Sequence, residues 1–98
     1  MDILKYIPFG EKNAVSRTSL VIRTGLPDRV IRSEIQKARE RSVILNAQNG
    51  RGYFRPLREE GDKVRRWIAQ ERSRAESIFE TVQAAEVRMC EYRQGGAN

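Results

Sequence analysis

From Lys63 to about Arg93 the chain contains no Gly and no Pro, and its small and apolar side chains recur with the period of a coiled coil. Val64, Ile68, Glu71, Ala75, Ile78, Val82, Ala85, Met89 and Tyr92 are separated by alternating steps of four and three, with Glu71 the one misfit. That spacing lines one face of an α-helix, and sustained over about four heptads it predicts a long coiled-coil-like helix. At about 1.5 Å per residue such a helix is roughly 46 Å long. It outruns any domain the preceding residues can build, so its stripe must be buried elsewhere. A second copy of the chain is the expected partner. Val64, Ile68, Ala75, Ile78, Val82, Ala85 and Met89 are the expected oligomerisation residues of a homodimer or higher assembly. The spacing alone leaves parallel and antiparallel pairing equally open.

The rest of the 98-residue chain suffices for one small domain. The organisation expected is a domain over 1–58, the long helix over 59–94 and a disordered polar tail over 95–98. No apolar run approaches the roughly 18 residues that a membrane span needs, so no membrane partner is expected. The opening residues, MDILKYIPFG, do not read as a secretory signal. A single Cys, Cys90, cannot close an internal disulfide or build a zinc site, which points to a reducing, cytoplasmic setting. With no His, imidazole catalysis and His-ligated metals are excluded. Cys90 has no His partner and reads as a half-buried bystander of the helical stripe. Glu59 and Glu60 read as solvated. The chain is expected to be no enzyme and to need no cofactor or metal.

The net charge is +6, and its location is more informative than its size. Residues 16–58 carry ten basic side chains against three acidic ones, a balance of +7, whereas 1–15 balance to zero and 59–98 carry seven against eight. A concentrated basic segment attracts polyanions through counterion release. Nearly all of these cations are Arg, the side chain suited to bidentate contact with phosphate and guanine.

Residues 3–9 read as a short first helix closed by Pro8 and Gly10. Ala14 and Val15 are at most a stub of strand. Ser16 is a good N-cap for a helix over 17–24, with Leu20 inward and Gly25 supplying the left-handed C-terminal turn. Pro27 suits a first-turn helical position. A longer helix then runs over 28–42, its core stripe Ile31, Ile35 and Ala38. Val43, Ile44 and Leu45 form an expected strand, Gln48 to Gly52 a turn, and Tyr53 to Arg55 a second strand. A charged hinge over 59–62 precedes the long helix, with Trp67 anchoring the latter to the domain or its partner.

The stretch Ser16-Arg-Thr-Ser-Leu-Val-Ile-Arg-Thr-Gly-Leu-Pro-Asp-Arg-Val-Ile-Arg-Ser-Glu-Ile resembles the helix-turn-helix of winged-helix DNA-binding proteins. The following hairpin, with Gly50-Arg51-Gly52 at its tip, resembles the wing of that family. The resemblance covers residues 3–57 and is nearest to the small transcriptional or replication-associated members that phages and mobile elements carry. It implies a mainly α fold with a small β-hairpin: a winged helix-turn-helix domain plus the long C-terminal helix. It further implies that helix 28–42 enters the major groove of double-stranded DNA, with the wing, 46–55, on the backbone or minor groove.

On that resemblance Asp28, Arg29, Arg32, Ser33, Gln36 and Lys37 are DNA-binding candidates on the second helix. Arg29 and Arg32 would read guanine, and Gln36 adenine. Arg17 would clamp a phosphate, and Arg51 would lie against the minor groove or a phosphate. The sequence departs from the family at Pro27, where Ser or Thr is common. Asp28 is an acid beside the presumed phosphate path; it can favour the helix N-terminus, accept from cytosine, or pair with Arg32 four residues on, and the pairing is the simplest reading. The function implied is a dimeric, sequence-specific transcriptional regulator. The alternative is an architectural or recruiting module of a phage or replication assembly that docks a protein partner through its C-terminal helix.

Overall fold

The computed structural model describes residues 1–48, 50 and 52–94. It is mainly helical, with one small antiparallel hairpin and a long C-terminal helix. The elements are α1 (Arg17–Thr24), α2 (Asp28–Ala38), β1 (Leu45–Asn46), β2 (Tyr53–Phe54) and α3 (Gly61–Gln94), with short 3₁₀ turns at Ile3–Tyr6, Glu11–Asn13 and Arg58–Glu60. Contacts divide the chain into two units, Met1–Arg65 and Arg66–Asn98.

In the first unit the core is Ile3, Ile7, Leu20, Ile31, Ile35, Ala38 and Ile44, all buried. Leu20 faces the Ile31–Ile35–Ala38 stripe of α2, and Leu26 packs half-buried against the same cluster. Ser16 caps α1, its hydroxyl accepting from the Ser19 N–H at 3.0 Å. Gly25 closes the helix in the left-handed conformation at φ 74°, its N–H donating to the Val21 carbonyl at 2.8 Å. Pro27 is the N-cap of α2 rather than its first helical residue; its extended backbone sets the chain direction, and Asp28 begins the helix.

Several boundaries differ from expectation. The first helix shrinks to a 3₁₀ turn at Ile3–Tyr6, because Asp2 caps it at Leu4 and Ile7 is already extended. α2 stops at Ala38, not near Ser42. The N–H groups of Arg41 and Ser42 both reach the Ala38 carbonyl, and the Arg39 side chain turns to the Ile44 carbonyl (3.0 Å) and Asn46 Oδ1 (3.1 Å). The first strand is displaced to Leu45–Asn46: Ile44 and Leu45 are buried, but Val43 is exposed and unladdered. β1 pairs with β2 as Leu45 with Phe54 and Asn46 with Tyr53.

Val15 supplies a further rung on the other edge of β2. Its N–H and carbonyl exchange hydrogen bonds with Tyr53 at 2.9 and 2.7 Å. Gly52, at φ 121°, is packed so closely that a Cβ would run into the Val15 carbonyl. Phe9 bridges Arg55 in parallel, and the Arg55 guanidinium lies 4.1 Å from the centre of the Phe9 ring while its Nε donates to the Ile7 carbonyl at 2.9 Å.

Over 59–62, where a charged hinge is expected, the chain forms the end of a 3₁₀ turn and the start of α3. Gly61 has helical dihedrals and begins α3 directly after the Arg58–Glu60 turn. Glu60 is buried, not solvated: Oε1 accepts from the Leu57 N–H at 2.8 Å, and Oε2 from the Glu11 N–H at 3.1 Å and from Lys63 Nζ at 3.0 Å. Lys63 also donates to Glu11 Oε1 at 2.7 Å, and Glu11 Oε2 accepts from the Gln48 N–H at 2.9 Å. Both carboxylates are held below the ordinary glutamate range, Glu11 chiefly by Lys63 and Glu60 chiefly by the Leu57 N–H. Lys63 is raised, first by Glu11 and then by Glu60.

The second unit is the remainder of α3. Along it Ile68, Ala75, Ile78, Phe79, Val82, Ala85, Met89 and Tyr92 are exposed, while Trp67 is half-buried. Cys90 is exposed, not half-buried, as are the stripe residues on either side of it, Met89 and Tyr92. No described helix is long and apolar enough to cross a membrane.

Candidate functional site

α2 is amphipathic in a way that leaves little freedom for its orientation. Ile31, Ile35 and Ala38 are 0–2% exposed and fix one face to the core. At 100° per residue, Arg29, Arg32, Ser33, Gln36 and Lys37 all fall on the opposite face, and all five are exposed. The structure therefore brings together the candidates expected on this helix. Their surface is a strip of three cations with one hydroxyl and one amide, a set that can donate to phosphates and to purine edges.

At the N-terminal end of the strip, Asp28 ties two helices together. Its Oδ1 lies 2.8 Å from Arg17 Nε and its Oδ2 lies 3.0 Å from Arg32 Nε. The i,i+4 pairing with Arg32 is present, and Arg17 of α1 joins it. Side chains in this triad are 42–61% exposed, so the pairs are solvent-screened and exchangeable. A phosphate can compete with Asp28 for either guanidinium.

Arg17 also borders an open groove of about 410 Å³, lined with Ser16, Asn46, Ala47, Gly50, Gly52 and Tyr53. The groove runs between the start of α1 and the hairpin, so the first unit presents α2's cationic strip and a hairpin edge with Arg17 near both. Arg51 lies outside the described residues.

Not every Arg of the basic segment is available to a ligand. Arg39 and Arg55 are half-buried and spend donors on backbone carbonyls, which the count of charges does not reveal. Conversely, Arg23 on α1 and Arg41 just past α2 are exposed and add to the cationic surface. Their signal in the sequence was only membership of the basic stretch. Among known proteins, no family model, no curated protein and no solved structure matches this chain.

Proposed function

We propose that this chain binds double-stranded DNA with the exposed face of α2, in the manner of a winged helix-turn-helix domain, and acts as a dimeric, sequence-specific regulator. One observation carries the reading: burial of Ile31, Ile35 and Ala38 turns Arg29, Arg32, Ser33, Gln36 and Lys37 outward together, two residues past a tight turn. A helix so presented matches the dimensions of the major groove. Supporting it are the hairpin at β1–β2, in the place of a wing, and the cationic balance of the segment that builds the unit.

In this reading Arg29 and Arg32 contact base edges, Gln36 and Ser33 add polar contacts, and Lys37 and Arg17 hold phosphates. The apolar stripe of α3 pairs two copies, so that two recognition helices act on separate half-sites. The test is selection of genomic fragments by the purified protein at two salt concentrations. One enriched motif that persists at the higher salt is the expected result. Unrelated fragments that all wash away would leave only nonspecific attraction and overturn the sequence-specific reading.

A further inference from the structure

We infer that a second copy of this chain covers the exposed stripe of α3, and that the two helices run antiparallel with their midpoint between Glu76 and Ser77. The inference rests on the self-pairing in the reading above and adds its direction and register. The stripe is there to be covered: Ile78, Phe79 and Val82 are 59%, 61% and 49% exposed, on one face and in succession. A stripe of this length on a water-soluble helix is the signature of an interface.

Direction follows from the misfit and the small residues. In a parallel, in-register pair each stripe residue meets its own copy. Glu71 then faces Glu71 across the seam, two like charges in an apolar layer, and Ala75 faces Ala75 while Ala85 faces Ala85, leaving two underfilled layers. Arg88 also flanks Arg93 of the second copy. Antiparallel pairing about Glu76–Ser77 removes each fault. Ile78 packs on Ala75 of the second copy, Ile68 on its Ala85, and Glu71 meets Val82 instead of another acid. Large residues fill the space that small ones leave.

Register follows from charge. In this arrangement the residues flanking the seam pair as Arg65 with Glu86, Arg72 with Phe79, Arg74 with Thr81 and Trp67 with Arg88. The first is an ion pair, Arg over Phe or Trp is favourable, and no like charges meet. A slip of one heptad either way creates repulsion. One direction sets Arg74 against Arg88 and Arg65 against Arg93; the other sets Arg72 against Arg72 and Arg74 against Arg74.

The test is disulfide trapping in full-length protein carrying Cys90→Ser, with Ile68→Cys and Ala85→Cys made as separate variants, together with sedimentation. In the proposed register position 68 lies opposite position 85 of the other copy, within the roughly 4.4–6.8 Å Cα separation a disulfide needs. Positions 68 and 68, or 85 and 85, are about 25 Å apart along the axis. The expected result is a dimer by sedimentation that cross-links only when the two variants are mixed. Cross-linking of either variant alone would establish parallel pairing and overturn the direction. A dimer with no cross-link in any combination would overturn the register, and a monomer would overturn self-pairing itself. A second readout needs no engineered cysteine: nitroxides on the native Cys90 of each copy should lie roughly 40 Å apart along the axis, against a side-by-side distance near 20 Å in a parallel pair.

Discussion

Asp28 stands between Arg17 and Arg32, 2.8 Å from one guanidinium and 3.0 Å from the other, and so couples the first turns of α1 and α2. Asp28→Asn keeps the side-chain shape but removes the charge that holds both cations. Since all three groups are well exposed, the fold should lose less than about 1 kcal/mol. Affinity for random duplex DNA should rise, with a log–log salt dependence about one unit steeper, as the freed guanidiniums meet phosphates. A salt titration of the variant beside the parent reads both; weaker binding would mean that Asp28 positions the arginines rather than masking them.

Gly52 provides a stability test tied to one contact. Its φ of 121° and the Val15 carbonyl beside it leave no room for a side chain. Gly52→Ala should cost about 2–4 kcal/mol. Gly50, also at positive φ but with open space around it, should lose only about 1 kcal/mol on the same substitution. Denaturant midpoints of the two variants separate backbone strain from collision; equal losses would contradict the packing of Val15 on the hairpin.

The core of α2 should behave as a cavity site. Ile31 is fully buried, and Ile31→Ala should destabilise the first unit by about 2–5 kcal/mol. Thr18→Ala, on the exposed side of α1, should change stability by less than about 0.5 kcal/mol. Thermal denaturation distinguishes the two.

The Glu11–Lys63–Glu60 cluster sets an acid limb on stability. Both carboxylates titrate below the ordinary glutamate range, so their contribution is complete above the unfolded-state pKa and is lost as the pH falls through the lower folded value. Stability should therefore drop as the pH falls below the ordinary glutamate pKa of about 4.3, and Glu60→Gln should flatten that drop. Lys63 is raised, so its contribution holds below its unfolded pKa and fades only as strongly alkaline pH passes its folded value. Urea unfolding across the acid range checks the flattening.

Local punctuation made the helix pair readable: Ser16, Gly25 and Pro27 mark its ends, and Leu20, Ile31 and Ile35 give its inward face. The Asp28–Arg32 pair was readable from its spacing, but Arg17's share depends on how the two helices pack. Where α2 ends was not readable, because residues 39–42 contain no breaker and the stop is imposed by Arg39 reaching Ile44 and Asn46. The hairpin register escaped because two-residue strands are too short to show alternation. The burial of Glu60 escaped because one partner, the Glu11 N–H, lies 49 residues away, and an acidic pair looks solvated without it.

The most direct measurement is the affinity of the full-length chain for a duplex carrying its selected site, beside Arg29→Ala/Arg32→Ala, with folding checked by circular dichroism. If α2 is the reading surface, each Arg contributes about 1–3 kcal/mol, so the double variant should bind at least roughly 30-fold more weakly while remaining folded. Its affinity should also become nearly equal for the selected and a scrambled duplex. A folded double variant that binds the selected site as tightly as the parent would contradict DNA reading by α2.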